Sequence, residues 1–147
     1  MNEPQPLMAG KRGLVLGVAN DHSIAWGIAQ ALHDQGATLA FTYQNDAFAK
    51  RVTPLAQSIG ADTVLQCDVE SDAELDAAFA ALAARWGGLD FVVHSLAYSA
   101  KEELNARYVD TTRANFARTL DISCYSFTAV ARRAAVLMPN GGGLLTL

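Results

Sequence analysis

Residues 12–43 read RGLVLGVANDHSIAWGIAQALHDQGATLAFTY. The apolar run over residues 13–18 is short and β-rich, with Gly17 near its end, and it reads as a buried strand. A helical pattern follows from about Ser23, with Ile24, Ile28 and Leu32 recurring on one face and Gly36 placed to stop it. A second β-rich run occupies residues 38–43. Strand, helix and strand within about thirty residues make the repeating unit of a parallel sheet.

The alternation continues downstream. Phe48, Val52, Leu55 and Ile59 mark a second helical stripe, although Pro54 inside it predicts a kink or a restart with Thr53 as cap. A third strand is expected over residues 63–67. Ser71 and Glu74 then form a capping-box pattern ahead of Leu75, Phe79, Leu82 and Trp86 at helical spacing, and Gly87 and Gly88 end that helix. A fourth strand over residues 89–94 leads into a loop at residues 95–101. A long helix is expected over residues 111–137, with Phe116, Leu120, Cys124, Phe127, Ala131 and Ala134 along one stripe. Met138, Pro139 and Asn140 break it, and residues 144–147 read as a fifth strand cut off by the chain end. The fold class is α/β, a doubly wound, Rossmann-like parallel sheet with right-handed crossovers, truncated after its fifth strand. Residues 1–10 are expected to be a flexible N-terminus. Residues 11–147 then form a dinucleotide-binding domain, incomplete at its C-terminal end.

Composition narrows the partner. Hydrophobic residues make up 51% of the 147, enough for one domain with a real core, and the net charge is -4 without any block of like charge. Nucleic acid and anionic membrane therefore have no electrostatic attraction to this chain, and a small molecule fits better. Cys67 and Cys124 each sit in an apolar stretch without metal-ligand spacing, and both read as reduced, buried packing residues. No metal site is expected. The N-terminal ten residues carry two prolines and no apolar core, so they read as neither a signal peptide nor a membrane span, and the cytoplasm is the expected compartment.

Ligands of doubly wound sheets bind beyond the carboxyl ends of the strands. Gly17, after the first strand, lets backbone approach a ligand, and the helix beginning near Ser23 offers free N–H groups to a pyrophosphate. Ser23 reads equally as a plain helix cap. The turn is not G-x-G-x-x-G, so by itself it is a weak dinucleotide signal. Gln44, after the second strand, is neutral, can bond a ribose hydroxyl, and has no adjacent Arg or Lys for a 2′-phosphate; Lys50 and Arg51 lie one to two helical turns on. This favours NADH over NADPH, with a solvated loop amide as the alternative. Asp68, after the third strand, suits an adenine amino group and the N–H of Val69 its ring, or Asp68 is a turn residue. His94 reads as a satisfied strand-end residue more readily than as an acid or base, since no carboxylate stands at useful spacing.

Taken in order, Gly17-x5-Ser23-Ile24-Ala25-x-Gly27, Phe41-Thr42-Tyr43-Gln44, Cys67-Asp68-Val69, residues 90–95 (DFVVHS), residues 107–111 (RYVDT) and residues 138–142 (MPNGG) resemble bacterial-type enoyl-[acyl-carrier-protein] reductases of the short-chain dehydrogenase/reductase superfamily. The likeness extends over nearly all of residues 10–147. Ordinary members of that superfamily carry T-G-x-x-x-G-x-G in the first turn and N-N-A-G after the fourth strand, and this chain has neither, as the enoyl-reductase branch implies. Their catalytic asparagine on the long helix aligns with Asp121.

The resemblance implies NADH as cofactor and reduction of a trans-2-enoyl thioester on acyl carrier protein in fatty acid biosynthesis. It places Gly17, Ser23 and Ile24 at pyrophosphate or nearby ribose, Gln44 on the adenosine side, Asp68 and Val69 at adenine, Leu96 near the middle of the cofactor and the backbone of Ser99 beside the acyl substrate. It also implies a homotetramer built through the long helix, whose stripe a face packed within one subunit explains equally well. The family's catalytic Tyr-x6-Lys is expected beyond Leu147, and Tyr98, Tyr108 and Tyr125 have no lysine at that spacing. The 147-residue chain is therefore expected to lack catalytic residues and to be inactive alone. Another short-chain oxidoreductase of the same branch, or a non-catalytic nucleotide-binding module, are the competing readings.

Overall fold

The computed structural model describes residues 5–147. Strands β1 (Arg12–Leu16), β2 (Thr38–Tyr43), β3 (Thr63–Gln66), β4 (Phe91–His94) and β5 (Gly143–Thr146) form one sheet in the order β3-β2-β1-β4-β5. Every neighbouring pair is parallel. The winding direction reverses between β1 and β4, so the switch point lies at the C-terminal ends of these two central strands.

The helices are α1 (Ile24–Asp34), α2 (Asp46–Ser58), α3 (Asp72–Trp86), a short α4 (Lys101–Leu104), α5 (Arg113–Leu120) and α6 (Ser126–Val136). Successive side chains of a strand point to opposite faces, and each face of this sheet has its own core. Val15, Leu39, Phe41 and Val93 meet Ala25, Trp26 and Ala29 of α1 and Val52 and Ala56 of α2. On the other face, Leu14, Leu16, Ala40 and Val92 meet Leu75, Phe79 and Leu82 of α3 and Ala129, Val130 and Ala134 of α6. Burial on both faces is why β1 and β4 are continuous apolar runs without polar alternation.

Several expectations need revision. In α1, Ile24 is 70% exposed while Ala25, Trp26 and Ala29 are buried; the small alanines allow close approach to the sheet, and Trp26 reaches the ring of Phe41 at 6.1 Å between centroids. Helix α2 runs through Pro54 without a restart at Thr53. Its cap is Asn45, whose side-chain oxygen accepts from the N–H groups of Ala47 and Phe48. Pro54 is exposed, so its missing N–H falls on the side where water can serve the carbonyl four residues back. The expected loop at residues 95–101 runs to the start of α4, and a 3-10 turn at Tyr108–Asp110 lies between α4 and α5.

The largest difference concerns the long helix. It is divided by a π-helical turn, Asp121–Tyr125, between α5 and α6. A π turn holds one residue more than an α turn and so changes the face that each later residue presents. Ile122, Ser126, Ala129, Val130 and Ala134 are buried, whereas Phe116 and Leu120 are 49% and 48% exposed. Cys124 is exposed, contrary to its reading as a packing residue, while Cys67 is buried as expected. Of the ten N-terminal residues, numbers 1–4 lie outside the described residues; the N–H groups of Leu7 and Met8 donate to Gln35, to its side-chain and backbone oxygens respectively.

Candidate functional site

The C-terminal ends of β1 to β4 open onto one cleft of about 220 Å³. Gly17, Gln44, Asp68, Val69 and Leu96 all line it, together with Phe48, Tyr98 and Ile122. Ser23, Ile24 and Ser99 do not. Four successive strand ends thus bring five of the eight candidate residues to one place.

Gly17 has φ +101, and a Cβ built on it would stand 1.8 Å from the carbonyl oxygen of Ser95. The glycine is therefore required by the close approach of the chain leaving β4, and this contact closes the cleft floor at the switch point. Ser23 occupies the cap position of α1, yet its side chain makes no cap bond. Its hydroxyl oxygen instead accepts from the N–H groups of Ala19 at 2.9 Å and Asn20 at 3.0 Å, fixing the turn after β1. The N–H groups of Ile24 and Ala25 have no partner among the described residues, which leaves donors and the positive end of the helix dipole at the start of α1.

Gln44 and Asp68, brought side by side by the pairing of β2 with β3, bond directly: Nε2 of Gln44 donates to the Asp68 carboxylate at 3.1 Å. The second Asp68 oxygen accepts from the N–H of Glu70 at 3.0 Å, so Asp68 also shapes its own turn. The expected capping box is half formed. Ser71 accepts from the N–H of Glu74 at 3.2 Å, but the Glu74 carboxylate accepts from the N–H of Asp68, at 2.7 Å. The reason is that the N–H of Ser71 is already given to the carbonyl of Asp68. Beneath this turn the Cys67 thiol is pushed up to about 12, chiefly by burial and then by the charges of Glu74 and Asp68.

The far wall is the loop after β4. The Arg118 guanidinium makes two bonds to the Glu70 carboxylate, at 2.9 and 3.0 Å, and a third to the Tyr98 hydroxyl at 3.0 Å. It also lies 4.6 Å from the centre of the Tyr98 ring. Hydrogen bonding to Glu70, reinforced by its charge, raises the pKa of Arg118. This clasp joins the β3–α3 turn to the loop carrying Tyr98, and no sequence pattern announced it. Asn115 holds the next part of the loop by donating to Ser99 Oγ at 3.0 Å and accepting from the N–H of Ala100 at 2.9 Å.

His94 is fully buried and has both ring nitrogens engaged, Nδ1 with Thr146 at 3.0 Å and Nε2 with Ser126 at 2.7 Å. The Ser126 hydroxyl gives its only proton to the Ile122 carbonyl at 2.6 Å, so Nε2 of His94 carries the ring proton and Nδ1 accepts from Thr146. Burial lowers its pKa. It ties β4 to β5 and to the first residue of α6 and is not among the residues lining the cleft. Tyr43 does stand seven residues before Lys50. A strand end, a loop and a helix cap separate them, so they do not share a helix face as two residues two turns apart would.

A family model described as Enoyl-(Acyl carrier protein) reductase matches residues 17–147. An enoyl-[acyl-carrier-protein] reductase [NADH] of Rhizobium meliloti is 60% identical over 141 residues, covering 96% of this chain and 53% of that protein. The reductase of Anaplasma phagocytophilum, solved in complex with NAD, superimposes with a TM-score of 0.93 at 52% identity, over 97% of this chain and 55% of that one. The Bacillus cereus enoyl-acyl carrier protein reductase, solved with NADP+ and indole naphthyridinone, gives a TM-score of 0.91 at 42% identity, over 95% and 55% respectively. The chain spans about half the length of the curated relatives it matches.

Proposed function

The chain belongs to the enoyl-(acyl carrier protein) reductase family, and from that premise we propose that it is the dinucleotide-binding part of an enzyme that uses NADH to reduce trans-2-enoyl-[acyl-carrier-protein] in fatty acid biosynthesis. The observation that carries this reading is the convergence of Gly17, Gln44, Asp68, Val69 and Leu96 on the cleft at the switch point.

The donor set of the cleft fits an adenine dinucleotide. Asp68 has acceptor capacity for an adenine amino group, with the N–H of Val69 beside it for the ring. Gln44 faces the adenosine ribose. The unpaired N–H groups at the start of α1 suit a pyrophosphate, with Gly17, Ser23 and Ile24 shaping the turn that meets it. Leu96 packs near the centre of the dinucleotide, and Ser99 borders the acyl substrate. When bound, NADH supplies the hydride delivered to the β-carbon of the enoyl thioester.

Stabilising the enolate that results requires a well-placed donor. Neither Tyr98, Tyr108 nor Tyr125 has a lysine at the Tyr-x6-Lys spacing, and Tyr43 and Lys50 lie on different elements. On this reading the family's Tyr-x6-Lys pair is supplied by residues outside 1–147, and the 147-residue chain by itself is inactive. Residues 11–147 form the dinucleotide-binding domain of a cytoplasmic homotetramer assembled through the α5–α6 face. The exposure of Phe116, Leu120 and Tyr125 along that face supports the assembly, and no helix among the described residues is long and apolar enough to cross a membrane. The test is NADH oxidation in the presence of an enoyl thioester, comparing the full-length protein with the 147-residue chain. Turnover by the first and none by the second is expected.

A further inference from the structure

We infer that Asp68 sets the cofactor preference by fixing which end of the Gln44 amide faces the adenosine ribose, an inference that rests on the reading of the cleft as an NADH site. Relatives solved with NAD and with NADP+ both occur, so family membership leaves the preference open and local chemistry must decide it.

An ionised carboxylate accepts hydrogen bonds and donates none, whereas a primary amide has one donating and one accepting end. With the Asp68 carboxylate 3.1 Å away, only Nε2 of Gln44 can turn toward it. The carboxylate is itself held, since its other oxygen accepts from the N–H of Glu70 and the Asp68 N–H is taken by Glu74. The Gln44 carbonyl oxygen is consequently the end turned away from Asp68. A ribose 2′-hydroxyl can donate to that oxygen. A 2′-phosphate is negatively charged and offers chiefly acceptors, so it meets an acceptor in front and a carboxylate behind it.

The cations nearby do not offset this. No Lys or Arg is among the residues lining the cleft. Arg118 is engaged with Glu70 and Tyr98, and the Arg51 guanidinium lies 6.0 Å from the centre of the ring of Phe48, a lining residue. Releasing the amide would present Nε2 to the phosphate and let Arg51 assist. Asp68 is thus a positioning residue for selectivity, in addition to any contact of its own with adenine.

The test is titration of the full-length protein with NADH and NADPH, for wild type, Asp68→Asn, Gln44→Leu and the double variant. Asp68→Asn keeps an oxygen for the N–H of Glu70, and its new amide can donate to Gln44. Both cofactors lose the same adenine contact, so the ratio Kd(NADPH)/Kd(NADH) isolates the ribose. That ratio should fall about five- to tenfold in Asp68→Asn and in Gln44→Leu. In the Gln44→Leu background, adding Asp68→Asn should change it less than about twofold. An unchanged ratio in Asp68→Asn would overturn the inference, as would an equal fall in the Gln44→Leu background, which would mean that the carboxylate acts directly by its charge. Should Asp68→Asn fail to fold, Asp68→Ser, which keeps an oxygen for the N–H of Glu70 and removes the carboxylate, takes its place with the same fall expected, and an unchanged ratio in it or in Gln44→Leu overturns the inference. No measurable NADH binding by the wild type would overturn the reading of the cleft itself.

Discussion

Gly17 and Ser95 bring the chain ends of β1 and β4 so close that a Cβ at position 17 would lie 1.8 Å from the Ser95 carbonyl oxygen. Backbone cannot yield as a flexible side-chain end can, and φ +101 is already unfavourable for an L-residue. Gly17→Ala should therefore lower stability by more than about 2 kcal/mol. Gly60→Ala is the control, because φ there is +72 with nothing within 4 Å, and strain alone should cost about 1 kcal/mol. Urea unfolding midpoints of the two variants check the difference.

Ser23 acts on the turn after β1 and does not cap its helix. Ser23→Ala removes the acceptor of the Ala19 and Asn20 N–H groups, which should cost about 1 kcal/mol of stability. The same substitution should weaken NADH binding, since the turn that meets the pyrophosphate loses its tether. Thermal melts and NADH titration of the variant measure the two effects, and full NADH affinity in a destabilised variant would separate the turn from the cofactor.

Arg118 bridges two walls of the cleft from an exposed position. Arg118→Met should raise the Kd for NADH about two- to fivefold while leaving the unfolding midpoint nearly unchanged, because exposed ion pairs add little to global stability. Salt screens such pairs. Raising ionic strength should therefore weaken NADH binding more in wild type than in the variant, and equal salt dependence would show that the clasp is idle.

How much of this was legible in sequence depended on distance along the chain. The run at residues 38–43, bounded by Gly36, allowed one reading, and β2 has those same limits. Gln44 and Asp68 were found as cleft residues because the rule that ligands sit beyond strand ends needs only the strands. The Arg118 clasp joins residues 20 and 48 positions apart, which no local pattern encodes. The π turn was hidden for another reason. Phe116, Leu120 and Cys124 are a true four-residue repeat, but across the π turn the buried positions are Ile122 and Ser126, whose hydroxyl bonds the Ile122 carbonyl and the buried His94. Glu74 was correctly placed near a cap, yet its partner depended on whether the Ser71 N–H was free, which only the folded turn determines.

His94 should make stability fall on mild acidification. Its pKa is lowered by burial from the ordinary 6.5, so below that pH the unfolded chain takes up a proton that the folded chain excludes. Stability is full above about pH 6.5 and declines as pH drops toward the depressed pKa. Urea midpoints at about pH 7.5 and about pH 5.5 should differ more for wild type than for His94→Gln, since titrating carboxylates are common to both. An identical difference in the two proteins would contradict this, since it would mean that His94 takes up a proton as readily in the fold as in the unfolded chain.

The cleft at the strand ends is the place we propose for NADH in the reduction of an enoyl thioester. The most direct measurement is the rate of NADH consumption by the full-length protein with a trans-2-enoyl thioester, run beside Asp68→Ala. We expect turnover by wild type that requires the thioester, and in Asp68→Ala a higher KM for NADH, by the equivalent of about 0.5–3 kcal/mol. No thioester-dependent consumption of NADH, or an unchanged KM for NADH in a folded Asp68→Ala, would contradict it.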